Sequence, residues 1–354
     1  MFQPPRCPYR RCPRHLDPKP SAFWHHGSYQ PKCRSQPVPR FRCTSCWRTF
    51  SRQSFRMDFS DHRPELNPRL FELLASGIGL RQSARLLKLT LGSCEKKFRK
   101  LARHLRRLNL NLAFELPVGS TLQFDEFESF ENTRVGAPLS IPFLIERESR
   151  FLVWAETARL RQRSARGRRR KPLGEAAQKR LRSRRDGSRA GIERTLRRGR
   201  DLTRSHARVT LETDKKLSYV PIAQELFGKE RLVHRRTSSR LARTQTNPLF
   251  AVNQAEAMAR DLLGRLRRQS WLASKKRRFL DLALALYASW RNFVRRRFNH
   301  DKRSAAEYLG FVPRRLTAPE LCSWRQEWGK HSIHPLALGS ESIAEWRARR
   351  SRSA

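Results

Sequence analysis

The sequence predicts a multidomain chain: a small cysteine-rich unit at the N-terminus, then a group of short helices, then a larger α/β domain on a mixed sheet. Three observations predict it. Five of the seven cysteines, Cys7, Cys12, Cys33, Cys43 and Cys46, fall in the first 46 residues. Residues 66–108 carry apolar side chains at helical spacing. Beyond residue 119, short strand-like runs are followed by a strand–helix–strand order, the pattern of a sheet with helices on its faces.

The 354 residues leave room for two or three domains, and 77 Lys+Arg against 31 Asp+Glu give a formal charge of +46. Self-repulsion on that scale disfavours a compact state unless a polyanion or salt screens it. Nucleic acid is the natural partner, with binding that weakens as salt rises; a membrane surface is the weaker alternative. There is no apolar run of the ~18–20 residues a spanning helix needs and no signal-peptide core after Met1, so the chain is expected in the cytoplasm with no membrane partner. An odd cysteine count there argues for thiolate chemistry over a disulfide framework.

Residues 1–56 are rich in Pro, Arg, Cys and aromatics and poor in helical periodicity. Cys7-x4-Cys12 and Cys43-x2-Cys46 form two knuckles, and four thiolates on two short turns make the tetrahedral sulfur cage that structural Zn2+ prefers. A segment with so little apolar content needs such a staple, so the unit reads as a zinc ribbon. Cys33, His25 and His26 lie between the knuckles and are alternative ligands.

Residues 66–110 read as three short helices with tight turns, Gly77 and Gly79 interrupting the first and Thr90 to Ser93 separating the second from the third. That is a helix-turn-helix, and its last helix offers Lys96, Lys97, Arg99, Lys100 and Arg103 as candidate double-stranded DNA contacts. A helical bundle with a solvated basic face is the plainer alternative.

Residues 119–299 form the α/β domain. TLQFDEFESF, LSIPFLIERES and RFLVWAETA are three short strands of an antiparallel meander. Residues 159–206 are arginine-dominated and read as an insert, part of which, over about 188–203, fits a helix. HARVTLETD and RLVHRRTS are further strands around the helix LSYVPIAQELFG, and helices continue from Asn253 to Asn299. SKKRRFLDLALALYASWRNFVRRRFN reads as one amphipathic helix with Leu280, Leu284 and Tyr287 at core spacing. Lys275, Lys276, Arg277, Arg278 and the Arg295–Arg297 run at its ends, with Arg267 and Arg268 before it, are candidate phosphate contacts. Residues 300–354 read as a basic tail without clear periodicity.

Acid is scarce in this chain, yet two strands end in it: Asp125 in TLQFDEF and Asp214 in HARVTLETD. A carboxylate on an apolar strand is costly to desolvate unless a cation holds it. The partner is an arginine or a divalent metal. Three carboxylates on one face of a mixed sheet can hold two metal ions about 3.5–4 Å apart, and magnesium suits such all-oxygen ligation. Glu126 is expected on the opposite sheet face from Asp125, and Glu128 is expected to be exposed.

The order of zinc ribbon, helix-turn-helix, strand ending in Asp, later strand ending in Thr-Asp, and helix opening Asn-x-x-Glu resembles the DDE transposases of bacterial insertion sequences that carry an N-terminal zinc ribbon. The likeness spans roughly residues 5–299. It implies a ribonuclease-H-like catalytic domain and an Asp-Asp-Glu triad with two Mg2+ ions, in a nucleoid-associated bacterial enzyme that cuts and joins DNA. It also implies a homodimer or higher oligomer, because two element ends are brought together. On this chain the triad would be Asp125, Asp214 and, in NQAE, Glu256. Asp261, about 140° further round the same helix, stays open as the third acid. A capping box after Asn253 is the plain structural role for Glu256. Asp125 and Asp214 are 89 residues apart (214 minus 125), and much of that span is the arginine-rich stretch. The rival reading is a non-catalytic DNA-binding regulator, with an inactive transposase relic between the two.

Overall fold

The computed structural model describes residues 2–30, 36–131, 136–161, 184–267 and 276–325. Cys33, Arg268 and Lys275 lie outside these residues, as do 162–183 of the arginine-rich stretch.

At the N-terminus three strands, β1 (Phe23–Tyr29), β2 (Val38–Cys43) and β3 (Thr49–Ser51), pair antiparallel in that order. Alternation along β2 turns Phe41 and Cys43 inward, where they meet Cys7, Cys12, Phe50 and Phe55. So small an apolar cluster cannot order the segment alone.

Helices α1 (Asn67–Ala75), α2 (Leu80–Leu86) and α3 (Leu91–Leu112) follow. Gly77 adopts φ 82° after α1, a left-handed conformation that glycine takes without a Cβ penalty. The Thr90 hydroxyl caps α3 by accepting from Ser93 N at 3.2 Å. Leu70, Leu73, Ala84, Leu87 and Cys94 close a small core among the three helices. The other faces of α1 and α3, through Phe71, Phe98, Leu101 and Leu105, join the main core.

The larger sheet has the order β6-β5-β4-β8-β9, with β4 (Thr121–Phe130), β5 (Pro138–Glu146), β6 (Leu152–Ala155), β8 (Val209–Asp214) and β9 (Leu232–Thr237); β7 (Ala158–Arg159) also pairs with β5. The β4-β5-β6 meander is antiparallel as expected, whereas β8 and β9 run parallel to β4. It is a mixed sheet with helices, an α/β domain as the sequence predicts.

Helices cover both faces. Residues Ser188–Leu202 of the arginine-rich stretch form α4, which carries the chain from the meander to β8. A Cβ on Gly199 would stand 2.9 Å from a Leu144 methyl and 3.0 Å from a Leu122 methyl, so the missing side chain is what lets α4 lie close on the sheet. This part of the expected insert is therefore a layer of the domain. Next to it lies α5 (Tyr219–Phe227). The opposite face is covered by α6 (Phe250–Leu262) and α7 (Arg277–Ser289), and α3 packs outside α7. Leu280, Leu284 and Tyr287 of α7 are buried as their spacing predicts, and a π-helical turn, Trp290–Val294, ends that helix.

The expected basic tail begins differently. Its first part holds α8 (Ala305–Tyr308) and α9 (Ala318–Ser323), and Phe311, Leu321 and Trp324 are buried in the main core. Short capped turns conceal a core segment because their apolar residues show no sustained period. No helix among the described residues is long and apolar enough to cross a membrane.

Candidate active site

Register places the two aspartates. The parallel ladder between β4 and β8 pairs Thr121 with Thr210, Leu122 with Leu211 and Gln123 with Glu212, a constant offset of 89 (210 minus 121). Asp125 and Asp214 share that offset, so they stand level on neighbouring strands, two residues past the last pair. Their side chains point to the face bearing Gln123 and Glu212. This is the carboxyl end of the parallel strands, where crevices form in open α/β sheets.

The third acid arrives from α6. Gln123 is fully buried, and its side chain reaches three elements at once. Its Nε2 donates to Glu212 Oε2 at 2.8 Å and to Pro248 O at 2.7 Å, while its Oε1 accepts from Val252 N at 3.0 Å. The start of α6 is thereby pinned level with Gln123. Glu256, one turn beyond Val252, rises about 6 Å; Asp125, two strand residues beyond Gln123, rises about 6.6 Å. The pin sets Glu256 beside Asp125.

Electrostatics agree with that placement. Burial, reinforced by the Asp214 and Glu126 charges, pushes the Asp125 carboxyl up to about 6, against the pull of the Glu126 N–H and of Arg243. Burial and then the Asp125 charge hold Glu256 well above the usual carboxylate range, opposed by Arg260 and Arg243. Glu256 Oε1 is buried with no hydrogen-bond partner among the described residues. Asp214 is half-buried, and its Oδ1 accepts from Lys216 N at 2.9 Å; Asp125 Oδ1 accepts from Glu126 N at 2.7 Å. The three acids do not converge as tightly as the cysteines below.

Asp261 is exposed, and the structure does not bring it to this group; Arg267 instead donates to its backbone carbonyl at 2.9 Å. The capping role for Glu256 is also excluded. Helix α6 begins at Phe250, so Asn253 lies inside it and Glu256 faces the sheet mid-helix. The arginine-paired acid entertained for Asp125 and Asp214 is realised instead one layer down, at Glu212, which meets Arg147 at 3.2 Å and Arg235 at 3.8 Å. Glu126 is on the opposite face as expected, bonded by Lys216, Tyr219 and Ser140, and Glu128 is exposed.

The N-terminal knuckles converge fully. The sulfurs of Cys7, Cys12, Cys43 and Cys46 all lie within 4.8 Å of one another, with Cys7–Cys46 at 3.7 Å and Cys12–Cys43 at 3.6 Å. Zn–S bonds of about 2.3 Å imply a tetrahedral edge of about 3.8 Å, so the donor set fits zinc. His25 and His26 lie exposed on β1, outside this group.

The basic candidates on α3 divide. Lys96 and Arg103 are exposed. Arg99 is engaged by Glu95 and by the Phe279 ring, and Lys100 donates to Phe59 O at 2.9 Å. Lys97 contradicts its expectation: it is buried, 2.9 Å from Asp61, and donates to Arg63 O and Asn67 Oδ1. The helix pattern gave it no apolar partner in sequence, so only the fold reveals that its ammonium serves the interior. Lys276 and Arg267 are exposed, while Arg297 is tied to Asp301 at 2.8 Å and covers the Tyr308 ring.

No family model matches the sequence, and no curated protein does. Solved structures that bear a likeness to this chain include one of a transposase domain. It is the crystal structure of the catalytic domain of Mos1 mariner transposase, with 13% sequence identity and a TM-score of 0.25, over 56% of this chain and 86% of that chain. The functional reading rests on the site's own residues.

Proposed function

We propose that this chain is a DNA transposase of the insertion-sequence type, which binds the ends of its element, cuts strands there and joins the freed 3′-hydroxyl to target DNA. The observation that carries the reading is the grouping of Asp125, Asp214 and Glu256 at the carboxyl end of the parallel strands, with a buried Glu256 oxygen that has no hydrogen-bond partner among the described residues and faces like charge. Buried carboxylates so placed are stable only with a proton or a cation between them, and an all-oxygen donor set suits magnesium. Two such ions, when bound, would supply charge to activate the attacking oxygen and to stabilise the leaving one.

The residues' own part is positional. Asp125 and Asp214 present oxygens from adjacent strands, Glu256 closes the third side, and Gln123 sets the level of all three. Arg243 sets positive charge beside Asp125 and Glu256, where a DNA phosphate would approach. In cleavage a water oxygen bonds to phosphorus as the P–O3′ bond breaks; in transfer the freed 3′-hydroxyl attacks a target phosphorus in the same way. The exposed Lys96 and Arg103 of α3 and the zinc-held ribbon would grip the duplex, and joining two ends requires at least two copies of the chain.

The test is magnesium-dependent nicking and strand transfer on a plasmid carrying the element's ends. Wild type is expected to cut and join. Asp125→Ala, Asp214→Ala and Glu256→Gln should bind the ends but not cut, and Asp261→Asn should stay active. A wild type that binds but never cuts, or aspartate variants that cut normally, would leave a DNA-binding regulator as the better account.

A further inference from the structure

We infer that the outer face of the N-terminal ribbon is a stacking platform for unpaired bases of a single-stranded nucleic acid, formed by Trp24, Arg42 and Trp47. Trp24 on β1 lies opposite Arg42 on β2. Both point away from the face that buries Phe41 and Cys43. Trp47 follows Cys46 in the second knuckle. Each indole is 57% exposed, and the two ring centroids are 6.4 Å apart at 84°. The Arg42 guanidinium lies 5.2 Å from the Trp47 centroid, and its Nε donates to Trp47 O at 3.2 Å. Two large aromatic surfaces are thus held in fixed orientation by a cation and left open to solvent.

The backbone supplies an independent observation. Trp47 has φ 59°, the left-handed region, which strains a bulky residue and which glycine would occupy freely. A buried tryptophan recovers such strain through packing. This one is mostly exposed, so the ribbon gains little from carrying it, and the strain points to a use outside the fold.

Charge and shape identify the occupant. Residues 1–56 contain twelve Lys+Arg and a single acid, Asp17, which Arg14 already pairs at 3.0 Å. The surface therefore favours a polyanion. An exposed indole flanked by guanidinium matches the π-face of a nucleobase, and stacking of this kind tolerates any base. A closed duplex hides those faces in its own stack, so the ligand is unpaired. This inference stands apart from the cutting chemistry: it needs neither the acids nor magnesium.

The experiment uses the full-length, zinc-loaded protein. Fluorescence anisotropy is measured with labelled oligo-dT, oligo-U and a blunt duplex of equal length, at fixed salt. Wild type should bind the single strands, and the dT and U arms decide whether DNA or RNA is the preferred source. Trp47→Gly should keep its zinc content and an equal or higher melting temperature, because it relieves the left-handed strain. It should nonetheless bind single strands at least about tenfold more weakly, with duplex affinity changed less than about twofold. Trp24→Ala should lose a similar factor, and Leu16→Ala, at another exposed ribbon residue, should lose none. The inference is overturned if Trp47→Gly and Trp24→Ala bind single strands as wild type does, in which case the indoles serve a protein partner. It is equally overturned if both variants weaken duplex and single strand alike, or if Trp47→Gly loses zinc.

Discussion

Asp125 carries the sharpest consequence of burial at the residue scale. Its folded carboxyl titrates near 6, above the ordinary 3.8. A raised carboxylate favours the folded state while protonated, so its contribution is full below about pH 4 and is lost as pH rises through 6. Holding a carboxyl that far above its ordinary value corresponds to about 3 kcal/mol between its two protonation states. In the absence of divalent metal, Asp125→Asn should therefore be more stable than wild type at pH 7.5, by about 2–3 kcal/mol in urea unfolding, with the gap vanishing near pH 4. Adding magnesium should raise the wild-type midpoint and leave that of Asp125→Asn almost unmoved. Equal stabilities at pH 7.5 would mean that the acid is not strained by its neighbours. Lys97 tests the opposite sign of charge. Removing one partner of a buried ion pair costs about 3–5 kcal/mol, so Lys97→Met should destabilise by about that much, whereas exposed Lys96→Met should weaken duplex binding without changing stability. If Lys97→Met weakens binding at unchanged stability, its ammonium faces DNA after all.

Among the elements, the Gln123 clamp matters most, because it joins β4, β8 and the start of α6. Leaving Glu212 and the Val252 N–H without their partner costs about 1–3 kcal/mol, so Gln123→Met should lose that much stability. Its distinctive effect should be weaker manganese binding, read by calorimetry. Leu105→Ala, a core truncation in α3 away from the acids, should lose stability while keeping its metal affinity. Identical manganese affinity in Gln123→Met and wild type would reduce Gln123 to a packing residue. The sequence disclosed much at this scale and missed this. Alternation marked β4 and β8 as strands, and the Asn-x-x-Glu pattern favoured Glu256 over Asp261. Helical spacing marked the buried side of α7. Gln123 was silent because a glutamine between Leu122 and Phe124 looks like any solvent-facing strand residue until β8 and α6 close over it. The partners of Lys97 and the burial of Trp324 were silent for the same reason: each depends on contacts between residues far apart in the chain. Four cysteines were legible because their ligand chemistry is local to two turns. Chelation should release zinc and unfold the ribbon, leaving the α/β core cooperative in calorimetry; one merged transition unaffected by chelator would contradict a metal-held unit.

For the whole molecule, a charge of +46 makes ionic strength the dominant variable. Duplex affinity should fall linearly in log–log against salt, each neutralised phosphate adding about 0.9 to the slope; Lys96→Met and Arg103→Met should each lower that slope by about one. Truncation after Asn299 should unfold the protein, since it removes Phe311, Leu321 and Trp324 from a core shared with α3 and the sheet; a cooperative, full-height melting transition in the truncated chain would show that core to be dispensable. That shared core also binds the helical segment to the α/β domain, so α3 and the three acids are seated on one body. One feature of the sheet sets the limits of that rigidity. The ladder between β4 and β8 stops at Gln123 and Glu212, and above it each strand is tied on its outer side only, Asp125 to Phe143 of β5 and Asp214 to Thr237 of β9. The cleft between the aspartates can therefore breathe without breaking a backbone bond, while the clamped layer beneath stays fixed. Compliance is confined to the pair of acids, where successive phosphates of different shape would have to be received.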